Sequence, residues 1–512
     1  MSLDKSPNLD ILNMDRKLIS SSSLIITPYL NKIYNQSLKN HFVHPDFKKA
    51  RVTPIFKDQE DSDINKPSDY RPISVIPHLG KILEKLVKDQ LVKFLSDTHA
   101  ISPDQSAYLK NHSTQSSLHR VIDDWYENLD DGEYTAVCIF DISKCFDTIN
   151  HDLLLAKLQK YGIRGDAWKW FKSYLTGRKQ AVRCKGRLSD FEDIKYGVPQ
   201  GSILGPFLFL IFINDISNAA ENNCVINLFA DDLCTYTSGK NLETVRARMQ
   251  CCVTKICDWY KLNRLKANPK KSKLMVIASN CRRRHITAET FKISYDSIII
   301  PLVDHVKYLG LLITEDLSWS KHIKEHARKI NWKIVNLKKL AKNGCPKSLL
   351  ATIYKTYIQS RIDYGITIWG CTTDDNLQKI QRLQNRAARV IENDWEFVDN
   401  RGIDILRKLK FQNIKERRNY FLTKLIFESI HHHQPHYLCD RITLKSDIRH
   451  YGGYRGHQLD VQIPLRLGKK FENSLMFAGG RLWNALPTEV KDATSRFSFK
   501  ARYHKHVLPH LA

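Results

Sequence analysis

The sequence has no two cysteines at CxxC spacing, although its 512 residues include twelve cysteines. Such scatter argues against a disulfide framework and against a zinc ribbon, and it points to a reducing compartment, cytoplasm or nucleus. The start, MSLDKSPNLDIL, lacks a basic segment followed by an apolar core, so no secretory signal is read and the chain is expected to be intracellular. The longest apolar run, Ile203 to Ile213, is broken by Gly205-Pro206 and falls far short of the ~20 residues a membrane span needs. Neither a fixed-period repeat nor a low-complexity tract occurs, which excludes a solenoid. Acidic residues are scarce: 54 Asp+Glu stand against 80 Lys+Arg, a net charge of +26. That imbalance fits a polyanionic partner. The excess is spread along the chain without a basic tail, as expected for a long groove that tracks phosphates and binds in a salt-dependent way.

What is present reads as an α+β chain. The segment Lys81 to Leu95 carries apolar residues at helical spacing, and residues 115–129 give a second amphipathic helix ending at the turn signal Asp130-Asp131-Gly132. A β-rich strand follows and ends at Asp141. Asn150 or Asp152 caps a helix through Leu158, and an aromatic-rich helix around Trp168 and Trp170 closes at Gly177. Beyond about residue 320 the pattern is mostly helical. There Ile380, Leu383, Ala387 and Val390 form a stripe, and Arg382, Arg386 and Arg389 share another face. An arginine row is either a solvated face or a contact for a nucleic-acid backbone. His431, His432, His433, His436 and Cys439 suggest a metal site, but without a second cysteine pair a solvated loop or packed turn is the expectation.

Two acidic blocks carry the chemistry. Asp141 ends the run Val137 to Phe140, and Asp231-Asp232 sits between the apolar runs Leu228–Ala230 and Leu233–Tyr236, a hairpin with acid at its tip. Read alone, an Asp pair is an ordinary polar turn. Three converging carboxylates repel one another unless cations compensate them, and carboxylate oxygens suit Mg²⁺. Two such ions ~4 Å apart form the clamp of in-line nucleotidyl transfer.

Seven blocks, the two acidic ones among them, widen the match: SDYRPISVIPHLGKILEKL (68–86), QSAYLKNHST (105–114), FDISKCFDTINHDLL (140–154), GVPQGSILGPFLFLIFINDI (197–216), LFADDL (228–233), LKANPKKSK (265–273) and VKYLGLLI (306–313). In this order and spacing they resemble the reverse transcriptase of non-LTR, LINE-type, jockey-like retrotransposons. Downstream, YIQSRIDYGITIWG, LQNRAARVI and RLWNALPTEV resemble the C-terminal region of the same family. The resemblance implies a right-hand polymerase: fingers and palm with an antiparallel sheet over 45–318, a helical thumb-like region over 319–400, an N-terminal helical extension over 1–44, and a mainly helical C-terminal region over 401–512 of unassigned role. It implies RNA-directed DNA polymerisation with two Mg²⁺ ions, Mn²⁺ being a substitute, and RNA template, DNA primer and dNTP as partners.

Carried over residue by residue, Asp141, Asp231 and Asp232 match the metal carboxylates, while Asp147 is read as structural. Phe146 stands where a bulky ring excludes a 2′-hydroxyl, or anchors the turn, or both. Gly197, Pro199, Gln200 and Gly201 form a turn opening a helix, with Gln200 and Gly201 near the nucleotide. Arg71 is placed to meet phosphate. Lys271 or Lys273 faces the pyrophosphate, and Tyr308-Leu309-Gly310 resembles the hairpin that holds the primer end or is simply a packed turn. Leu109 replaces an arginine common in the family; Lys110 is adjacent, but its side chain points elsewhere if the segment is extended. Cys145 replaces a common alanine with little expected effect. Full elements carry an upstream endonuclease, for which the residues ahead of position 45 are too few, and no Cys/His knuckle follows the match. Other readings are a catalytically impaired or domesticated nucleic-acid binder, and an RNA-dependent RNA polymerase, against which Phe146 argues.

Overall fold

The computed structural model describes residues 9–57, 62–142, 144–219, 224–269, 271–394, 401–433, 435–448, 457–465 and 468–509. The chain divides into two compact units. The first comprises residues 1–108, 140–221 and 252–268; the second comprises 109–139, 222–251 and 269–512. Strands and helices are mixed in both, which is the α+β class expected from the sequence.

The described strands, in chain order, begin with β1 Lys49–Phe56, β2 Tyr70–Val75, β3 Tyr134–Phe140, β4 Arg178–Cys184, β5 Arg187–Leu188 and β6 Glu192–Ile194. They continue with β7 Val225–Phe229, β8 Asp232–Gly239, β9 Lys273–Ile277, β10 Ser294–Tyr295, β11 Ile298–Ile299, β12 His305–Tyr308 and β13 Leu311–Thr314. In the first unit the sheet order is β2-β1-β4-β5, with β6 paired to β4. Strand β1 is antiparallel to β2 and parallel to β4. The helix His78–Asp97 extends beyond the expected span and buries Leu83, Val87, Leu91 and Leu95 at helical spacing. Its partners in sequence include the aromatic helix Gly165–Leu175, whose Trp170 ring stacks on Tyr174 at 5.6 Å. The apolar helix Gly205–Ile213 is buried around its whole circumference from Leu208 onward, and no described helix is long and apolar enough to cross a membrane.

The second unit is built on the sheet β7-β8-β3-β9. Residues Thr135 to Cys138 of β3 and Leu233 to Thr237 of β8 are buried without alternation, so both faces of this sheet are covered. One cover is the helix Thr114–Asp130, capped by reciprocal hydrogen bonds between Ser113 and Ser116. Its Trp125 meets Tyr236 edge to face at 5.9 Å, and Tyr126 accepts a hydrogen bond from the Trp319 indole at 2.7 Å. The same helix holds the C-terminal region. Asp130 accepts from the Phe471 amide at 2.7 Å, Asp123 from the Leu475 amide at 3.1 Å, and Asp124 pairs with Arg441. A second core gathers Cys371, Leu422, Ile426, Phe427, Trp483 and Phe499. None of the twelve cysteines forms a disulfide.

Candidate active site

In the second unit β7 and β8 form a tight hairpin in which Phe229 pairs with Asp232, leaving Ala230 and Asp231 as the two turn residues. Ala230 takes a left-handed φ of 56°, a conformation that two-residue hairpins demand. Asp231 is half-buried, and Asp232, the first residue of β8, is exposed. The hairpin is anchored from below. Asn227, fully buried on β7, donates to the Ser117 hydroxyl at 2.9 Å and to the Tyr308 hydroxyl at 2.8 Å. Strand β8 is the sheet neighbour of β3, and β3 is antiparallel to β9 with Ile139 opposite Lys273. The exposed Lys271 and Lys273 therefore sit at the end of the sheet where β3 leaves it.

Asp141 directly follows β3, is exposed, and belongs to the first unit. Its carbonyl accepts from the Asn268 amide at 3.0 Å, and Ile142 bridges to Ala267. Ala267 and Asn268 thus fix the backbone beside Asp141. Lys144, with φ of 50°, then turns the chain into the short helix Cys145–Thr148. Phe146 and Asp147 ride on that helix. The Phe146 ring is half-buried and stacks on Phe209 with centroids 4.4 Å apart, so it packs the turn.

The loop 197–204 is held on three sides within the first unit. The amides of Gly197 and Val198 donate to the carbonyls of Ile149 and Phe146 at 2.8 and 2.9 Å. His151 Nε2 meets the Gly197 carbonyl at 2.7 Å, and burial keeps this imidazole below its usual pKa. Gln200 donates its side-chain amide to Asp147 at 2.9 Å, and its carbonyl accepts from the Ser74 amide at 2.7 Å. Burial raises the Asp147 pKa, a shift that the Gln200 bond opposes. Gly201, with φ of 126°, lies so close to β2 that a Cβ there would fall 2.4 Å from the Ser74 carbonyl. At the far end of the loop the buried Glu84 accepts from the Ile203 amide at 2.6 Å and from the Tyr174 hydroxyl at 2.7 Å. Burial pushes the Glu84 carboxyl above its usual range, with Tyr174 and Arg178 opposing. The turn does not open the helix directly, which starts only at Gly205.

Glu84 and His151 were not legible as site residues. One signal existed for Glu84: it is a charge on the buried face of a helix, in line with Val87 and Leu91. Arg71 is exposed on β2 opposite Ile55. Lys110 is exposed in a turn bounded by left-handed Tyr108 and Asn111, so the segment around Leu109 is not extended. Leu309 and Gly310 form the two-residue turn between β12 and β13; Tyr308 and Leu309 are buried and Gly310 is exposed. Arg382 and Arg386 are exposed on the helix Asp374–Glu392, Arg389 is half-buried, and Arg386 donates to Asn331 at 2.6 Å. His431 and His432 lie in the last turn of the helix Ile414–His432 and not in a loop, with the His431 ring 4.3 Å from that of Phe427. Among the described residues no group of three or more His, Cys, Asp or Glu is gathered as a metal site.

Comparison with known proteins decides the family. The sequence profile of "Reverse transcriptase (RNA-dependent DNA polymerase)" matches residues 58–313. The chain belongs to the reverse transcriptase family. With that membership comes the right-hand class expected from the sequence. Among curated relatives, the chain is similar to the "Probable RNA-directed DNA polymerase from transposon BS" of Drosophila melanogaster, 28% identical over 81% of this chain and 46% of that protein. The "RNA-directed DNA polymerase from mobile element jockey" of the same organism is 27% identical, again over 81% of this chain and 46% of its own length. The chain thus spans about half the length of the curated relatives it matches. Among solved structures, the apo telomerase of Candida tropicalis aligns over 83% of this chain and 73% of its own, with 13% identity and a TM-score of 0.39.

Proposed function

We propose that this chain is an RNA-directed DNA polymerase of a non-LTR retrotransposon, adding dNMP to a primer 3′-end on an RNA template. The observation that carries the proposal is the sheet order β7-β8-β3-β9, in which the strand opening with Asp232 neighbours the strand that runs into Asp141. Asp141, Asp231 and Asp232 would hold Mg²⁺, or Mn²⁺ in its place. Three carboxylates form a hard-oxygen donor set, and each acid is exposed or half-buried and so open to an ion that brings phosphate oxygens of its own. When bound, such ions supply charge neutralisation at the attacking and departing oxygens.

The chain's own residues then bind and orient. Lys271 or Lys273, at the exit of β3, faces the departing pyrophosphate, while Arg71 on β2 and Lys110 meet the triphosphate. Phe146, propped by Phe209, gates the sugar. Gln200 has its amide committed to Asp147, so its contribution is to fix that turn, and Gly201 lets the backbone approach the nucleotide. Tyr308, Leu309 and Gly310 support the primer end; Arg382, Arg386 and Arg389 track a phosphate backbone.

Primer extension tests the proposal. The purified chain is given an annealed RNA template and DNA primer with dNTP or rNTP and Mg²⁺ or Mn²⁺. Extension with dNTP that vanishes in Asp231→Ala is the expected result. Extension with rNTP alone would make it an RNA polymerase, and salt-sensitive template binding without extension would leave a non-catalytic nucleic-acid binder.

A further inference from the structure

Behind the β12–β13 turn, wholly within the second unit, lies a cavity of about 280 Å³ lined by Lys307, Gly310, His322, His326, Lys329 and Arg361 among others. Its mouth is shaped by Tyr364, whose hydroxyl donates to the Leu309 carbonyl at 2.6 Å and whose ring lies 3.0 Å from where a Cβ on Gly310 would sit. The one acid in the wall, Glu325, is already paired with Lys329. Arg361 and Lys307 are exposed around it, so the lining keeps a surplus of positive charge.

The inner wall is a pair of stacked imidazoles. His322 and His326 are 6% and 5% exposed, with ring centroids 5.3 Å apart, and the Trp369 ring lies 5.4 Å from His326. The Leu312 amide donates to His322 Nδ1 at 3.2 Å. That nitrogen is therefore the acceptor, and the neutral ring carries its proton on Nε2. Among the described residues neither His322 Nε2 nor His326 Nε2 has a hydrogen-bond partner. A buried donor left unmade costs about 1–3 kcal/mol, and the His322 N–H, beside the unpartnered His326 Nε2 and exposed cations, asks for an acceptor. A second depression of about 440 Å³ shares Lys329 and Arg361 and adds Arg328, Lys333 and Trp332, an indole 61% exposed. Cations alternating with an exposed aromatic face suit a single strand, with phosphates on the former and a base on the latter.

We propose that this cavity binds a phosphate group held by Arg361 and Lys307 against the His322–His326 wall, and that the phosphate belongs to a nucleic-acid strand continuing over Trp332. Binding would be coupled to protons. Burial is the main depressor of both imidazoles. At His322 Glu325 opposes it while Arg361 and Lys329 add to it, and at His326 the neighbouring His322 adds to it, followed by Arg361 and Lys329. Lys307 from β12 and Tyr364 also face the site. An anion among these cations favours the protonated ring, so binding takes up protons and tightens as pH falls into the depressed range in which these rings titrate.

Histidine-ring NMR on the full chain tests this with two probes, inorganic phosphate and a 5′-phosphorylated trinucleotide. The trinucleotide is expected to raise the apparent pKa of His322 or His326 by about one unit. Phosphate alone should do so with at least tenfold weaker affinity. Arg361→Gln and, separately, the exposed Lys307→Gln should each weaken the response about tenfold, and Trp332→Ala should weaken it for the trinucleotide only. No histidine response to either probe, or full responses in both charge variants, would overturn the site. A response to phosphate without one to the trinucleotide overturns the strand as its source. The readout does not depend on polymerisation, so Asp231→Ala should respond as the parent chain does.

Discussion

The Gln200 side-chain amide donates to the Asp147 carboxylate at 2.9 Å, across 53 positions of sequence. That bond ties the loop 197–204 to the turn carrying Phe146. Replacing Gln200 with Leu leaves a half-buried carboxylate without its donor, at a cost of about 1–3 kcal/mol. The urea midpoint should fall and primer extension should drop with it. An extension defect at unchanged stability would instead assign Gln200 a direct contact with substrate.

Two glycines with positive φ should answer differently to alanine. At Gly201, φ is 126° and a Cβ would collide with the Ser74 carbonyl at 2.4 Å; at Gly165, φ is 57° and nothing lies within 4 Å. Gly165→Ala should cost about 1 kcal/mol from backbone conformation alone. Gly201→Ala must also displace β2 or the loop, and should cost at least twice that in thermal or urea unfolding. Equal losses would mean that β2 yields freely.

Acid should destabilise the second unit through its paired histidines. Burial pushes His322 down to about 4 and His326 to about 3. Between those values and about 6.5, the unfolded histidine ordinarily binds a proton that the folded ring refuses. Unfolding therefore takes up protons, and stability, complete above that range, falls as pH drops, by up to about 1.4 kcal/mol per pH unit for each ring. Urea unfolding in phosphate-free buffer at pH 7 and pH 5 measures it. His326→Phe should flatten the acid limb, and a slope indifferent to that change would sink the assignment.

Phe146→Ala should relax discrimination between dNTP and rNTP and also lose the stack on Phe209 at 4.4 Å. Phe146→Leu separates the two effects, since it keeps apolar packing while opening space. An unchanged dNTP preference in both variants would leave Phe146 as a packing residue only.

Much of this was legible in the sequence because local rules governed it. The strand into Asp141, the β7–β8 hairpin and the helices near 78–97 and 114–130 follow from burial pattern and turn chemistry that each segment carries itself. The hairpin nevertheless turns one residue earlier than expected, at Ala230-Asp231, with Asp232 already in β8. The residues that hold the loop 197–204 were not legible. Glu84, His151 and Ser74 act through contacts with a segment 46 or more residues away, as in the His151–Gly197 bond, and nothing in their own neighbourhood announces it. The His322–His326 wall was hidden for a related reason. Two histidines at i and i+4 look like an ordinary helix face until Trp369 and Leu312 arrive from elsewhere in the chain. His431 and His432 were expected in a solvated loop or packed turn because a histidine run has no helical signature, yet the capping box at Asn413–Glu416 starts a helix that carries through His432 and is capped by left-handed His433.

The interleaving of the two compact units sets a timetable for synthesis. The first unit ends at Asn268, whereas the second takes its opening segment from Leu109 and its last from Ala512. On the ribosome, the four-stranded sheet lacks β9 until residues 273–277 emerge, and the helix 114–130 waits for the C-terminal amides that its aspartates accept. Translation halted after residue 268 would release a finished first unit trailing β3, β7 and β8 with their apolar faces uncovered. Nascent chains of that length are the ones expected to need a chaperone.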